Sequence, residues 1–169
     1  LFKKGDRKVL DNWRPISLLN TDYKILARVL SQRLQKVIQK LVSSDQTGYI
    51  KGRSASDNLR LVQDVIDYCN ILEEQGLILF LDFKQAFDCV SHDFLFETLK
   101  IFNFKDSFVH WVRVLYANAE GKIINNGWIS QTFKINRGVR QGCPLSALLF
   151  ILVVEVMASR LRSNINIHG

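Results

Sequence analysis

Apolar positions recur every three or four residues at Leu26, Val29, Leu30, Leu34, Val37, Ile38 and Leu41, which predicts a helix from Asp22 to Leu41. Asn20 or Thr21 stands ready as its cap. A second stripe, Leu59, Val62, Ile66 and Cys69, opens behind Ser54 or Ser56 and stops before Gly76, predicting a second helix. Helical patterns return at Phe94 to Phe102 and at Ser107 to Tyr116. Their aromatics Phe94, Phe102, Phe108, Trp111 and Tyr116 are expected in the core. From Leu145 to Ala158 the chain is apolar almost throughout, which reads as a buried helix with Pro144 in its first turn. Glu155 interrupts that run, and the run is too short for a membrane span.

Elsewhere the period changes. Leu77 to Leu81 are consecutively apolar, followed by Asp82 and Phe83, which suits a strand buried on both faces. The stretch Leu1 to Asn20 carries turn chemistry at Gly5-Asp6 and Asp11-Asn12, and Pro15 pushes Arg14 away from the helical region. It reads as two short extended segments joined by a loop. In KIINNGWISQTFKI two apolar-rich runs flank Asn126-Gly127, a hairpin signal. The expected fold class is therefore α/β of the mixed (α+β) kind, with helices on one face of a small, mainly antiparallel sheet. A break near Gln75-Gly76 divides an expected first unit, residues 1–75, from a second, 76–169.

Composition changes this picture little. The 169 residues are 47% hydrophobic and 23% charged, with no low-complexity tract, which excludes a disordered chain. A net charge of +7 fits a polyanionic partner such as nucleic acid. Cys69, Cys89 and Cys143 lie far apart without a CxxC pair, so they read as free thiols rather than zinc ligands. The chain starts at Leu1 without Met and reads as a piece of something longer.

A carboxylate at the end of a buried strand is either a capping or turn residue or the partner of a cation or a metal, because an unpaired buried charge is costly. Asp82 occupies that position, with Asp88 nearby. Gly138 and Gly142 leave backbone exposed around Arg140-Gln141 just ahead of a helix, where an anion can be held. Carboxylate, phosphate-binding turn and basic N-terminal segment together are the minimum for metal-assisted phosphoryl or nucleotidyl transfer. They do not separate a polymerase from a nuclease or a nucleotide-binding module.

LFLDFKQAFDCVSH resembles the first catalytic motif of reverse transcriptases, and NRGVRQGCPLS resembles their RQGxPLSP motif. NWRPISLLN and DQTGYIKGR are similar to finger motifs of non-LTR (LINE-type) retrotransposon enzymes, in matching order along essentially the entire chain. That resemblance implies fingers over residues 1–75 and part of a palm over 76–169. It implies an RNA template, a DNA primer, dNTP substrates and two Mg²⁺ ions, with no membrane and no inferable protein partner, in cytoplasm and nucleus. Residue by residue, Asp82 would be the catalytic, metal-binding aspartate and the Phe83 carbonyl a further ligand. Phe87 would be the steric gate against a ribose 2′-OH, Lys3 and Arg14 the triphosphate contacts, and Gln141 and Gly142 the lining of the nucleotide pocket. Arg53 and Arg140 would meet nucleic acid. Asp88 and His92, in an FDxVxH pattern, are taken as structural; His110 and His168 match no motif.

There are departures. Ala147 replaces the final Pro of RQGxPLSP, and no [FY]xDD pair or other acidic residue follows Glu155. The chain alone is therefore expected to be inactive, with an open edge beside Leu79 to Leu81 that leaves it marginally stable or prone to aggregate. The alternatives are an inactive relic or RNA-binding segment, and a group II intron maturase-type enzyme.

Overall fold

The structure, a computed structural model, describes residues 1–166; His168 lies outside the described residues. Helix α1 spans Thr21–Gln35 and a short α2 spans Ile38–Leu41. The single helix expected over this stretch is thus broken. Lys36 and Val37 donate to Arg33 and Leu34 at 3.3 and 3.0 Å, i→i−3 bonds that tighten the last turn. Ala27, Leu30, Leu34 and Ile38 are buried along one line across the break, whereas Val29 and Val37 of the expected stripe face solvent.

Helix α3 covers Ala55–Leu72. Its start is fixed by reciprocal caps: Ser54 Oγ accepts from Ser56 N at 3.2 Å, and the Asp57 carboxylate accepts from Ser54 N at 3.4 Å. None of its residues is buried, so its apolar stripe does not enter the core as the spacing suggests. Helices α4 (His92–Ile101), α5 (Asp106–Tyr116) and α6 (Ser146–Arg162) complete the helical set. Tyr116 is buried, Phe102 and Phe108 lean on the core, and Phe94 and Trp111 are exposed.

One core unites α1, α4, α5 and α6, with Leu95, Leu99, Val112, Leu149 and Leu152 at its centre. It draws on residues from both sides of Gly76. Strands are few and antiparallel. β1 (Glu120–Gly121) pairs with β4 (Phe133–Lys134), and inside them β2 (Ile124–Asn125) pairs with β3 (Trp128–Ile129). Asn125 faces Trp128 across Asn126 (φ 47°) and Gly127 (φ 83°), the two left-handed residues of a type I′ turn. The chain is thus mixed helix and small antiparallel sheet.

Two expectations need correction. The helices pack on one another, not on one face of a sheet. The run Leu77–Leu81 is not a buried strand. It makes no backbone hydrogen bond among the described residues, and Leu77 and Phe80 are 93% and 81% exposed. β geometry is stabilised by a neighbour's ladder and cross-strand contacts, and no described segment supplies them here. Among the described residues no helix is long and apolar enough to cross a membrane.

The contrast gives a stability prediction. Leu149 is fully buried, so Leu149→Ala is expected to cost about 2–5 kcal/mol in urea unfolding. Leu79→Ala, at an exposed site, should stay within about 0.5 kcal/mol of the parent. A larger loss at Leu79 would show that the run is covered in solution.

Candidate active site

The site is built where two distant segments meet. Residues 84–89 form a turn in which Gln85 takes a left-handed φ of 53° and accepts from Asp88 N at 2.9 Å. The chain then runs antiparallel to residues 137–139. Ser91 bridges Arg137, Gly138 N donates to Val90 O at 2.7 Å, and Val139 N donates to Phe87 O at 2.7 Å. Gly138 sits at φ 90°, and a Cβ there would lie 3.1 Å from both Asp88 Cα and Asp88 O. Only glycine combines that conformation with that approach. The His92 ring donates through Nε2 to Gly138 O at 3.0 Å and leans on Tyr116.

Beyond the ladder, residues 140–145 form a turn that α1 and α5 hold from outside. Arg140 Nη1 donates to Leu115 O at 2.8 Å, and its guanidinium lies 4.6 Å and 5.5 Å from the ring centres of Tyr23 and Tyr116. Ser17 N donates to Gln141 O at 3.0 Å, and Ser31 Oγ donates to Pro144 O at 3.1 Å. The Gln141 carboxamide donates through Nε2 to the Asp88 carboxylate, 3.2 and 3.3 Å from its two oxygens. Burial pushes the Tyr23 phenol well above its ordinary range and the Tyr116 phenol up to about 12.

The residues expected from the sequence divide into groups. Phe87, Gln141 and Gly142 are brought to this junction, with the Phe87 ring 5.0 Å from that of Phe150 on α6. The Phe83 ring meets the same Phe150 ring edge-on, 6.4 Å between centres, which ties the end of the Leu77–Phe83 run to α6. Asp82 is exposed and makes no hydrogen bond or ion pair among the described residues. Lys3 and Arg14 belong to an N-terminal hairpin bridged at Phe2 and Trp13, and both are exposed. A Lys84–Asp11 ion pair of 2.8 Å connects that hairpin to the residue 84–89 turn.

The two arginines expected to meet nucleic acid are engaged internally. Arg140 is stacked as described, and Arg53 donates to Gln46 O at 2.7 Å, to Gln39 O at 3.2 Å and to Ser43 O. The loop that Arg53 gathers is fastened to α6, where Ser43 N donates to the buried Glu155 at 3.3 Å and Arg162 pairs with the same carboxylate. Glu155 was visible in the sequence only as a lone charge in an apolar helix. The Asp88–Gln141 pair had no signal at all.

Among the described residues no three His, Cys, Asp or Glu side chains converge. Asp82 and the Phe83 carbonyl would be a partial set of oxygen ligands, and the neighbouring Asp88 already serves Gln141. The described residues do not by themselves make up a site for two Mg²⁺ ions.

This junction joins the two segments that resemble reverse-transcriptase motifs. Residues 2–168 match the family of reverse transcriptases (RNA-dependent DNA polymerases), and the chain belongs to that family. It is 39% identical over 165 residues to the "Transposon TX1 uncharacterized 149 kDa protein" of Xenopus laevis, covering 98% of this chain and 13% of that protein. It is 31% identical over 154 residues to the "Retrovirus-related Pol polyprotein from type-2 retrotransposable element R2DM" of Drosophila melanogaster, covering 91% and 14%. Identity is 25% over 159 residues with the "Putative COX1/OXI3 intron 1 protein" of Saccharomyces cerevisiae, covering 92% and 17%. The likeness to non-LTR retrotransposon reverse transcriptases is therefore borne out, over a stretch that spans about an eighth of the first two relatives.

The Tyr116 hydroxyl is buried with no hydrogen-bond partner among the described residues. Tyr116→Phe is therefore expected to leave stability at pH 7 within about 1 kcal/mol of the parent. The unfolded phenol ionises near pH 10 while the folded one holds its proton to about pH 12. The unfolded state thus binds fewer protons in that window, and stability falls as pH rises through it. Urea unfolding from pH 9 to 11.5 should fall less steeply for Tyr116→Phe; an unchanged slope would contradict the burial of this phenol.

Proposed function

We propose that the chain forms the incoming-nucleotide side of an RNA-directed DNA polymerase, with residues 1–75 as fingers and 76–169 as part of the palm. The observation that carries this reading is the bond from Val139 N to Phe87 O, which sets the aromatic of one motif beside the glutamine turn of the other. In this reading Phe87, braced by Phe150, excludes a ribose 2′-OH by contact. Gln141 and Gly142 line the nucleotide pocket, and Lys3 and Arg14 meet the triphosphate. Arg53 and Arg140 act on nucleic acid indirectly, by shaping the loops that approach it.

Asp82 contributes one metal-binding carboxylate, free of protein partners among the described residues. Divalent metal ions would supply charge stabilisation for nucleotidyl transfer, and two of them need carboxylates beyond those gathered here. The 169-residue chain by itself is therefore expected not to extend a primer.

The test uses the longest natural polypeptide that carries this domain, with an RNA template, a DNA primer and dNTPs. Asp82→Asn should lower extension by about 10²-fold or more, since it removes charge from a metal ligand. Phe87→Ala should leave dNTP extension measurable and raise incorporation of ribonucleotides. Near-normal extension by Asp82→Asn would remove the central claim. Absence of extension by the parent, with salt-sensitive RNA binding indifferent to Asp82→Asn, would favour a non-catalytic RNA-binding role.

A further inference from the structure

The Asp88 carboxylate is half-buried, six positions beyond Asp82, and its only side-chain hydrogen bonds among the described residues come from Gln141. The spacing to both oxygens is nearly equal, so one amide nitrogen spans the carboxylate. The orientation of the carboxamide follows from chemistry. An ionised carboxylate only accepts, so only the NH₂ end of Gln141 can face it, and Oε1 is turned away. The backbone leaves Asp88 little freedom to retreat, because Gly138 packs directly against its Cα and carbonyl. Gln141 is held too, through Ser17 N on its own carbonyl and through Arg140 beside it.

We propose that Asp88 is a positioning residue for nucleotide selection, fixing Gln141 so that its carbonyl oxygen, an acceptor, meets the incoming nucleotide. The claim rests on the reading of Gln141 as pocket lining given above. The nucleotide must then offer a donor, either a sugar hydroxyl or a base amine. A neutral asparagine at position 88 would remove the constraint. It carries both a donor and an acceptor, so Gln141 could pair with it in either orientation and present either NH₂ or Oε1 to the pocket.

The experiment is steady-state primer extension by the same longest natural polypeptide, with melting temperatures measured alongside. Asp88→Asn should raise the dNTP KM about five- to tenfold, the size of one neutral hydrogen bond, with kcat little changed. Asp88→Asn combined with Gln141→Ala should be no worse than Gln141→Ala alone, because the two act as one unit. Asp88→Glu keeps an acceptor-only side chain and should hold KM nearer the parent than Asp88→Ala does; this pair tests the claim even where Asp88→Asn does not fold.

Two comparisons identify the donor. Loss of discrimination against 3′-deoxy nucleotides in Asp88→Asn would point to the sugar hydroxyl, and loss of the preference for dGTP over dITP would point to the base amine. Fully additive effects of Asp88→Asn and Gln141→Ala, or a fall in kcat that merely tracks melting temperature, would overturn the proposal. Failure of the parent to extend any primer would instead overturn the polymerase reading beneath it.

Discussion

The arrangement depends on how closely two backbones approach at Gly138. A side chain there would press on Asp88 Cα and its carbonyl at 3.1 Å, in a backbone conformation that other residues avoid. Because nothing intervenes, Gly138 N reaches Val90 O and Val139 N reaches Phe87 O, both at 2.7 Å. Those bonds fix the register between residues 87–91 and 137–139, and register decides which side chains become neighbours. One residue of slip would separate Gln141 from Asp88 and move Phe87 away from the glutamine turn.

Such a short ladder could not hold its register unaided. The helices supply the rest. Arg140 is set against Tyr23 from α1 and Tyr116 from α5 and bonded to Leu115 O, so two helices meet on one guanidinium. A guanidinium so enclosed rests its faces on rings, an arrangement that cation–π attraction favours. His92 adds a further tie through Gly138 O. The motif turn is thus rigid for reasons outside the motif: buried packing of α1, α4, α5 and α6 carries it.

What could be read from the sequence was what local chemistry decides. The Asn126-Gly127 turn is specified by its own two residues, and α3 by a capping box within four residues of its start. The motif residues Phe87 and Gln141 were legible through resemblance, and the ladder brings them together. Leu77–Leu81 has the composition of a central strand, but a strand exists only with its ladder, and that is a property of other residues. Burial failed for α3 for the same reason: an apolar stripe states a capacity, not the surface that meets it. Charge was least legible. Arg53 and Arg140 were expected to meet nucleic acid, yet each guanidinium is taken up by carbonyls of its own fold.

The two aspartates of the first motif show why residue type alone could not settle the site. Asp82 and Asp88 lie on one short segment and carry the same functional group. Asp88 is half-buried and satisfied by Gln141, which makes it a fixed point of the protein and a poor ligand for anything else. Asp82 is exposed and unpaired among the described residues, at the end of an apolar run whose Phe83 meets Phe150 on α6. A carboxylate that is to hold a metal gains from having its lone pairs unspent, whereas one that orients a neighbour must have them spent. Partnering, not sequence position, therefore separates the two roles.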